Sequence, residues 1–210
     1  MRPSCLHALI DGVFAIAVTL LVLDLPKPQD AEHLTHDLLQ AWPSYVAYAV
    51  SFLTVGIVWI EHHGMMSAVT AVNRRFLERT LLLLFFVSAI PWPTALAADY
   101  ARGGGDNARD MAILYAATML LMGCAFALSW RYLADHHDLV AEPARPAMAG
   151  GAKRSIIGAL AYVPAIVVAF ASPVASFALA GLVAVYFAAS RSEVPGLLVR
   201  ADRAAARPGS

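Results

Sequence analysis

Apolar residues in this chain do not alternate with polar ones in the manner of a two-sided surface helix. They run on, in six stretches separated by short polar connections. The stretches cover about residues 9–25, 42–60, 80–98, 111–133, 155–171 and 174–190. Each approaches the ~20 residues that cross the hydrocarbon core of a bilayer, the first and the last two being short. Lipid offers no partner to backbone N–H and C=O groups, so each stretch is predicted to be a helix. The first stops at Pro26 and Pro28, and the last two meet in a turn at Ser172 and Pro173. The expected fold is all-α: an integral membrane bundle of six transmembrane helices, in one repeat over about residues 1–200. Residues 201–210 are expected to be a disordered cytoplasmic tail.

The polar connections orient the bundle. With both termini cytoplasmic, the inside segments carry all but three of the 15 Lys and Arg residues; only Lys27, Arg102 and Arg109 fall outside. This is the bias expected of cytoplasmic loops, and it requires an even number of spans. Trp42, Tyr45, Trp92, Tyr100, Trp130 and Tyr132 lie near predicted span ends, where aromatic belts form. The outside loop 27–40 holds Asp30, Glu32 and Asp37. It reads either as a cation-concentrating vestibule or as a plain solvated loop. The segment 135–151, with Pro143 and Pro146, reads as a mobile cytoplasmic linker.

Composition agrees with the pattern. The chain is 60% hydrophobic and 14% charged, with mean hydropathy +0.64, where soluble domains are about one quarter charged. The lipid bilayer is therefore an expected partner. The formal net charge is zero, which excludes a basic nucleic-acid-binding chain. Two cysteines, Cys5 and Cys124, make neither a disulfide framework nor a metal site. The first stretch is not a cleavable signal, having Asp11 near its start and no small-residue cleavage site.

Candidate chemistry is sparse. Glu61-His62-His63 suggests a metal, but adjacent histidines point to different helix faces, whereas zinc helices space them at i and i+4. Asp135, His136, His137 and Asp138 read as an adventitious metal site or a plain solvated turn and not as a catalytic centre. His33 and His36, as histidines, are candidate pH sensors in the outer loop. Thr54-Val55-Gly56 starts like a potassium filter but continues Ile57-Val58 within a helix, and a filter requires non-helical backbone. Gly103-Gly104-Gly105 is a flexible turn without the Lys-Ser/Thr of a phosphate loop. No nucleophile or metal set supports an enzyme.

The first span is the most informative. Ile16, Leu20 and Leu23 recur at i, i+4 and i+7 on one helix face, with Thr19 beside them. Gly12 and Ala15 are small enough for close helix approach. Around a symmetry axis, Ile16, Leu20 and Leu23 would stack as apolar rings with Thr19 hydroxyls between them. Such rings gate by dewetting, and hydroxyls replace part of an ion's hydration. Bundle packing uses the same spacing, so spacing alone leaves the two readings undivided. Asp11 and Asp24 bracket the span. A carboxylate at mid-membrane costs about 2.5–3.5 kcal/mol, and far less near the ends. Asp24 is expected at the interface; Asp11 lies deeper and needs a partner, with Trp59, His62 and His63 as candidates.

Asp11 and the run from Gly12 to Leu23 resemble the bacterial single-repeat branch of the transmembrane protein 175 family, the endosomal/lysosomal potassium channels. Trp59-Ile60-Glu61-His62-His63, the stretch 88–96, Leu114-Tyr115 and Trp130-Arg131-Tyr132 carry the resemblance on, over about residues 9–133. It implies a homotetramer in the bacterial inner membrane with both termini cytoplasmic. The first helices would line a pore permeable to potassium and other monovalent cations, weakly potassium-selective. The constriction would fall on Ile16, Leu20 and Leu23, the hydroxyl ring on Thr19, and a gating network on Asp11, Trp59, His62 and His63. No cofactor is implied beyond the permeant potassium ion. The family signature Arg-x-x-x-Phe-Ser-Asp survives only at Asp11; Cys5, Leu9 and Ile10 hold the other positions. The rival reading is a secondary transporter or proton-coupled cation exchanger using Asp11. That class shows internal repeats and helices broken at the midplane; here only Pro91, Pro93 and Pro164 hint at breaks.

Overall fold

Proline placement decides where the long apolar runs bend. The computed structural model describes residues 3–27, 33–100 and 105–189. In chain order the helices are α1 Pro3–Leu20, α2 Leu34–Gln40, α3 Trp42–Ser67, α4 Arg74–Ala89, α5 Pro91–Tyr100, α6 Gly105–Asp135, α7 Arg145–Leu160, α8 Tyr162–Ala169 and α9 Pro173–Ala189. Pro93 has no N–H to donate to the Ala89 carbonyl, four residues back, and α4 ends at Ala89. Pro164 stands in the same relation to Leu160, where α7 ends. The third and fifth spans are thus each built from two helices in sequence.

Caps set several starts. The Asn73 side chain accepts a hydrogen bond from Phe76 N at 2.9 Å, opening α4. Ser172 Oγ accepts from Ala175 N at 3.2 Å, and Pro173 supplies the preset φ of the first position of α9. At its far end α1 tightens into a 3₁₀ turn, Leu21–Asp24, before Pro26 stops it.

Five runs are long and apolar enough to cross a membrane: Cys5–Asp24, Trp42–Ser67, Arg74–Tyr100, Asp106–Asp135 and Glu142–Ala169. Pro173–Phe187 is a shorter apolar helix. The five runs exceed the sequence-derived spans. The only pairing outside helices among the described residues is an isolated antiparallel bridge between Val69 and Val140.

That bridge corrects one expectation. Residues 135–151 form an ordered cap and not a mobile linker. Thr70 N donates to the Leu139 carbonyl and Ala141 N to the Ala68 carbonyl, both at 2.9 Å. Leu139, Val140, Ala144 and Met148 are buried. These four apolar side chains hold the segment down, and α7 begins at Arg145. The outer loop also differs in part: 34–40 is the helix α2, while Asp30 and Glu32 lie outside the described residues, as do Gly103, Gly104 and the tail 201–210.

The core centres on α6, which packs against α4, α5, α7, α8 and α9. Trp130 is fully buried there, and Gly151 makes room for it: a Cβ on Gly151 would fall 2.3 Å from the Trp130 ring. Ser51 Oγ lies 2.8 Å from Thr94 Oγ1 and 3.0 Å from the Tyr115 hydroxyl, linking α3, α5 and α6. In a lipid-facing bundle such buried hydroxyls need each other as partners. The helix α1 lies at the side of this core, against α3 and α4.

Candidate ion pathway

The helix α1 and the 3₁₀ turn that continues it have two faces, both apolar. One packs inward through Leu6, Ile10, Phe14, Ala17 and Leu21, none more than 2% exposed. The other faces away from the core, with Ile16 60%, Leu20 41% and Leu23 66% exposed. Thr19 and Gly12 share that open side. Ile16, Leu20 and Leu23 are therefore left largely uncovered by the rest of the chain.

The Thr19 hydroxyl donates back to the helix, 2.9 Å from the Ile16 carbonyl and 3.0 Å from that of Ala15. Its proton is committed to the backbone, so its free lone pairs are left as acceptors. A cation meeting this hydroxyl meets oxygen and not hydrogen.

Midway along α1, Trp59 Nε1 donates to Asp11 Oδ1 at 2.9 Å. Of the three candidate partners of Asp11, Trp59 makes the hydrogen bond. His63 is exposed and lies against the Trp59 ring, centroids 5.6 Å apart. His62 points the other way. It is 1% exposed, between Phe14 and Phe126 with ring centroids 6.1 Å from each, and neither ring nitrogen has a hydrogen-bond partner. Asp11, Trp59 and His63 are thus grouped at the α1–α3 surface, and His62 sits behind them in the core.

Sequence reasoning passed over two residues here. His7 lies one turn before Asp11, its ring centroid 6.4 Å from that of His63. The pairs His7/Asp11 and Trp59/His63 are each spaced i, i+4, so they face one another across two helices; that spacing was the available signal. Asp99, near the end of α5, stands within electrostatic reach of Asp24, and nothing in the sequence pattern joins these two. At the altered signature positions, Cys5 and Leu9 are exposed and Ile10 is buried.

The remaining candidates fall elsewhere. Thr54, Val55 and Gly56 lie within the continuous helix α3. His36 is 3.5 Å from Asp37 and 3.0 Å from the Gln40 amide, on α2. His136 stacks on Tyr132 at 3.9 Å, and Arg79 lies 4.2 Å over the same ring, pinning α4 to α6. No group of three or more metal-ligating side chains converges among the described residues.

Residues 5–91 match the family model described as endosomal/lysosomal potassium channel TMEM175. A protein of Streptomyces collinus named as a potassium channel is 40% identical over 193 residues, covering 90% of this chain and 93% of its own. One of Chamaesiphon minutus, also named as a potassium channel, is 35% identical over 188 residues, covering 87% and 92%. A crystal structure described as a lysosomal potassium-selective channel TMEM175 homolog from Chamaesiphon minutus superposes with a TM-score of 0.77 at 34% identity, over 89% of this chain and 96% of that one. These relatives are channels and not enzymes. With such identity over nearly the whole length, this chain belongs to the TMEM175 family and is a multi-pass membrane protein.

Proposed function

We propose that this chain is the subunit of a potassium-permeable, weakly selective cation channel in the bacterial inner membrane. Four identical subunits set α1 around a common axis. Each contributes six spans, with α9 as the sixth and both termini cytoplasmic. At 17 residues, α9 is about 25 Å long, which suits a locally thinned bilayer.

One observation carries the reading. The face of α1 that bears Ile16, Thr19, Leu20 and Leu23 is turned away from its own bundle, while the opposite face is buried. Placed on a four-fold axis, that open face forms stacked apolar rings with an oxygen ring between them. The rings close the path by dewetting, and the Thr19 oxygens stand in for part of the ion's water. Asp24 and Asp99 attract cations to the outer mouth. Asp11, Trp59 and His63 join the cytoplasmic side of the first span to α3, and His62 packs behind that joint. The names borne by the bacterial relatives support potassium as the permeant ion.

The exchanger reading is not favoured by those relatives. Potassium, sodium and proton flux into proteoliposomes of the purified protein separates the two. The channel reading expects passive, non-saturating potassium flux with sodium permeating less well. A saturable potassium flux that requires a proton gradient would sink it.

A further inference from the structure

A groove on the protein surface, away from α1, carries a chemistry that the proposed pore does not use. It lies between the end of α6 and the middle of α7, with Arg131 and Lys153 on its two walls. Its floor includes Ala134, Ala149 and Ala152, side chains too small to fill it. Both cations are exposed. Arg131 pairs with Asp135 through Nε at 3.3 Å, which leaves its terminal nitrogens free as donors. Lys153 has no ion pair among the described residues. Two cations thus face one carboxylate.

Below each cation runs an apolar stripe. On α6, Leu128 and Leu121 follow Arg131 toward the bundle centre at helical spacing, 47% and 49% exposed. On α7, Ile156, Ile157 and Leu160 follow Lys153, 40%, 52% and 57% exposed. A ligand on the two cations therefore has its remaining length laid along exposed hydrocarbon. A free anion would gain nothing from these stripes; a lipid would use both.

We propose that this groove binds an anionic phospholipid, its phosphate held by Arg131 and Lys153 and its acyl chains against the α6 and α7 stripes. Basic pockets between transmembrane helices on the cytoplasmic side are suited to such headgroups. The orientation given above decides only which leaflet supplies the lipid, the cytoplasmic one. Binding itself does not depend on the pore assignment.

Native mass spectrometry of the detergent-purified oligomer tests this, with phosphatidylglycerol and phosphatidylcholine of equal chain length as probes. Phosphatidylglycerol should be retained in preference. Arg131→Gln and Lys153→Gln should each weaken its retention roughly fivefold, and the double variant about thirtyfold, the fold-change of about 1 kcal/mol per basic residue near an anionic headgroup. Arg74→Gln, an exposed cation paired with Glu78 on α4, should leave retention unchanged. Potassium flux retained by the double variant in phosphatidylcholine vesicles would show that it still folds. Equal retention of both lipids, or wild-type retention by the double variant, overturns the proposal. Displacement of the lipid by soluble glycerol phosphate at matched concentration also overturns it, since the acyl stripes would then contribute nothing.

Discussion

Trp59 and Asp11 are joined by a 2.9 Å hydrogen bond from the indole Nε1 to Oδ1, and it ties α1 to α3 beside the facing rings of His7 and His63. The bond is exposed, so water competes for it. Trp59→Phe removes the donor and keeps most of the packing. It should lower stability by about 1 kcal/mol. Asp11→Asn keeps an acceptor oxygen and should lose less. Thermal unfolding midpoints of the two variants in one detergent give the comparison; a larger loss in Asp11→Asn would mean that charge, and not this bond, matters at the joint.

The open face of α1 gives a second prediction. Ile16→Asn or Leu23→Ser places a polar group in an apolar ring and should raise potassium flux several-fold by wetting the constriction. Thr19→Val keeps shape but removes the outward oxygen, and should reduce discrimination between potassium and sodium. Unchanged flux in the first two variants would remove these residues from the path. Unchanged ion preference in the third would leave the Thr19 hydroxyl as a helix back-bond only.

Cys5 is a built-in probe of the same face. It is exposed and lies along α1 in helical register with Leu9, Gly12 and Ile16. Cys124 is also exposed, on α6. In a Cys124→Ser background, a cationic thiol reagent on the cytoplasmic side should reduce potassium flux, and Cys5→Ser should abolish the effect. Modification of Cys5, seen by mass, with flux unaltered would place it away from the ion path.

Neighbouring glycines in α7 should respond in opposite directions to the same substitution. In Gly151→Ala the new methyl would fall 2.3 Å from the buried Trp130 ring, so α6 and α7 must part. A loss of at least 1–3 kcal/mol is expected, as for other overpacked cores. Nothing lies within 4 Å of a Cβ at Gly150; Gly150→Ala should gain about 0.5–1 kcal/mol from backbone entropy. The fraction of monodisperse protein after heating ranks the two against wild type.

Membrane insertion was legible from the apolar runs, because lipid leaves a backbone no alternative to helices. The helix breaks were half legible. Pro93 and Pro164 are visible in the sequence, but that each ends a helix four residues earlier was settled only when α4 and α7 were seen to stop at Ala89 and Leu160. The cap over 135–151 reads as mobile in the sequence and is ordered in the structure. Its prolines and glycines resemble a linker locally, and what orders it is distant: the backbone at Ala68 and Thr70, and the core around Trp130.

The first helix marks the boundary most clearly. Its sequence alone determined that it is apolar, bracketed by Asp11 and Asp24, and similar to the first helix of a channel family. It could not determine which side faces out. Leu6, Ile10, Phe14, Ala17 and Leu21 recur at the same helical spacing as Ile16, Leu20 and Leu23. In water, the polar face of a helix would reveal the answer, but in a membrane both faces are greasy and amphipathicity is silent. The tertiary structure decided it through packing: α3 and α4 cover the first set, and the second is left open.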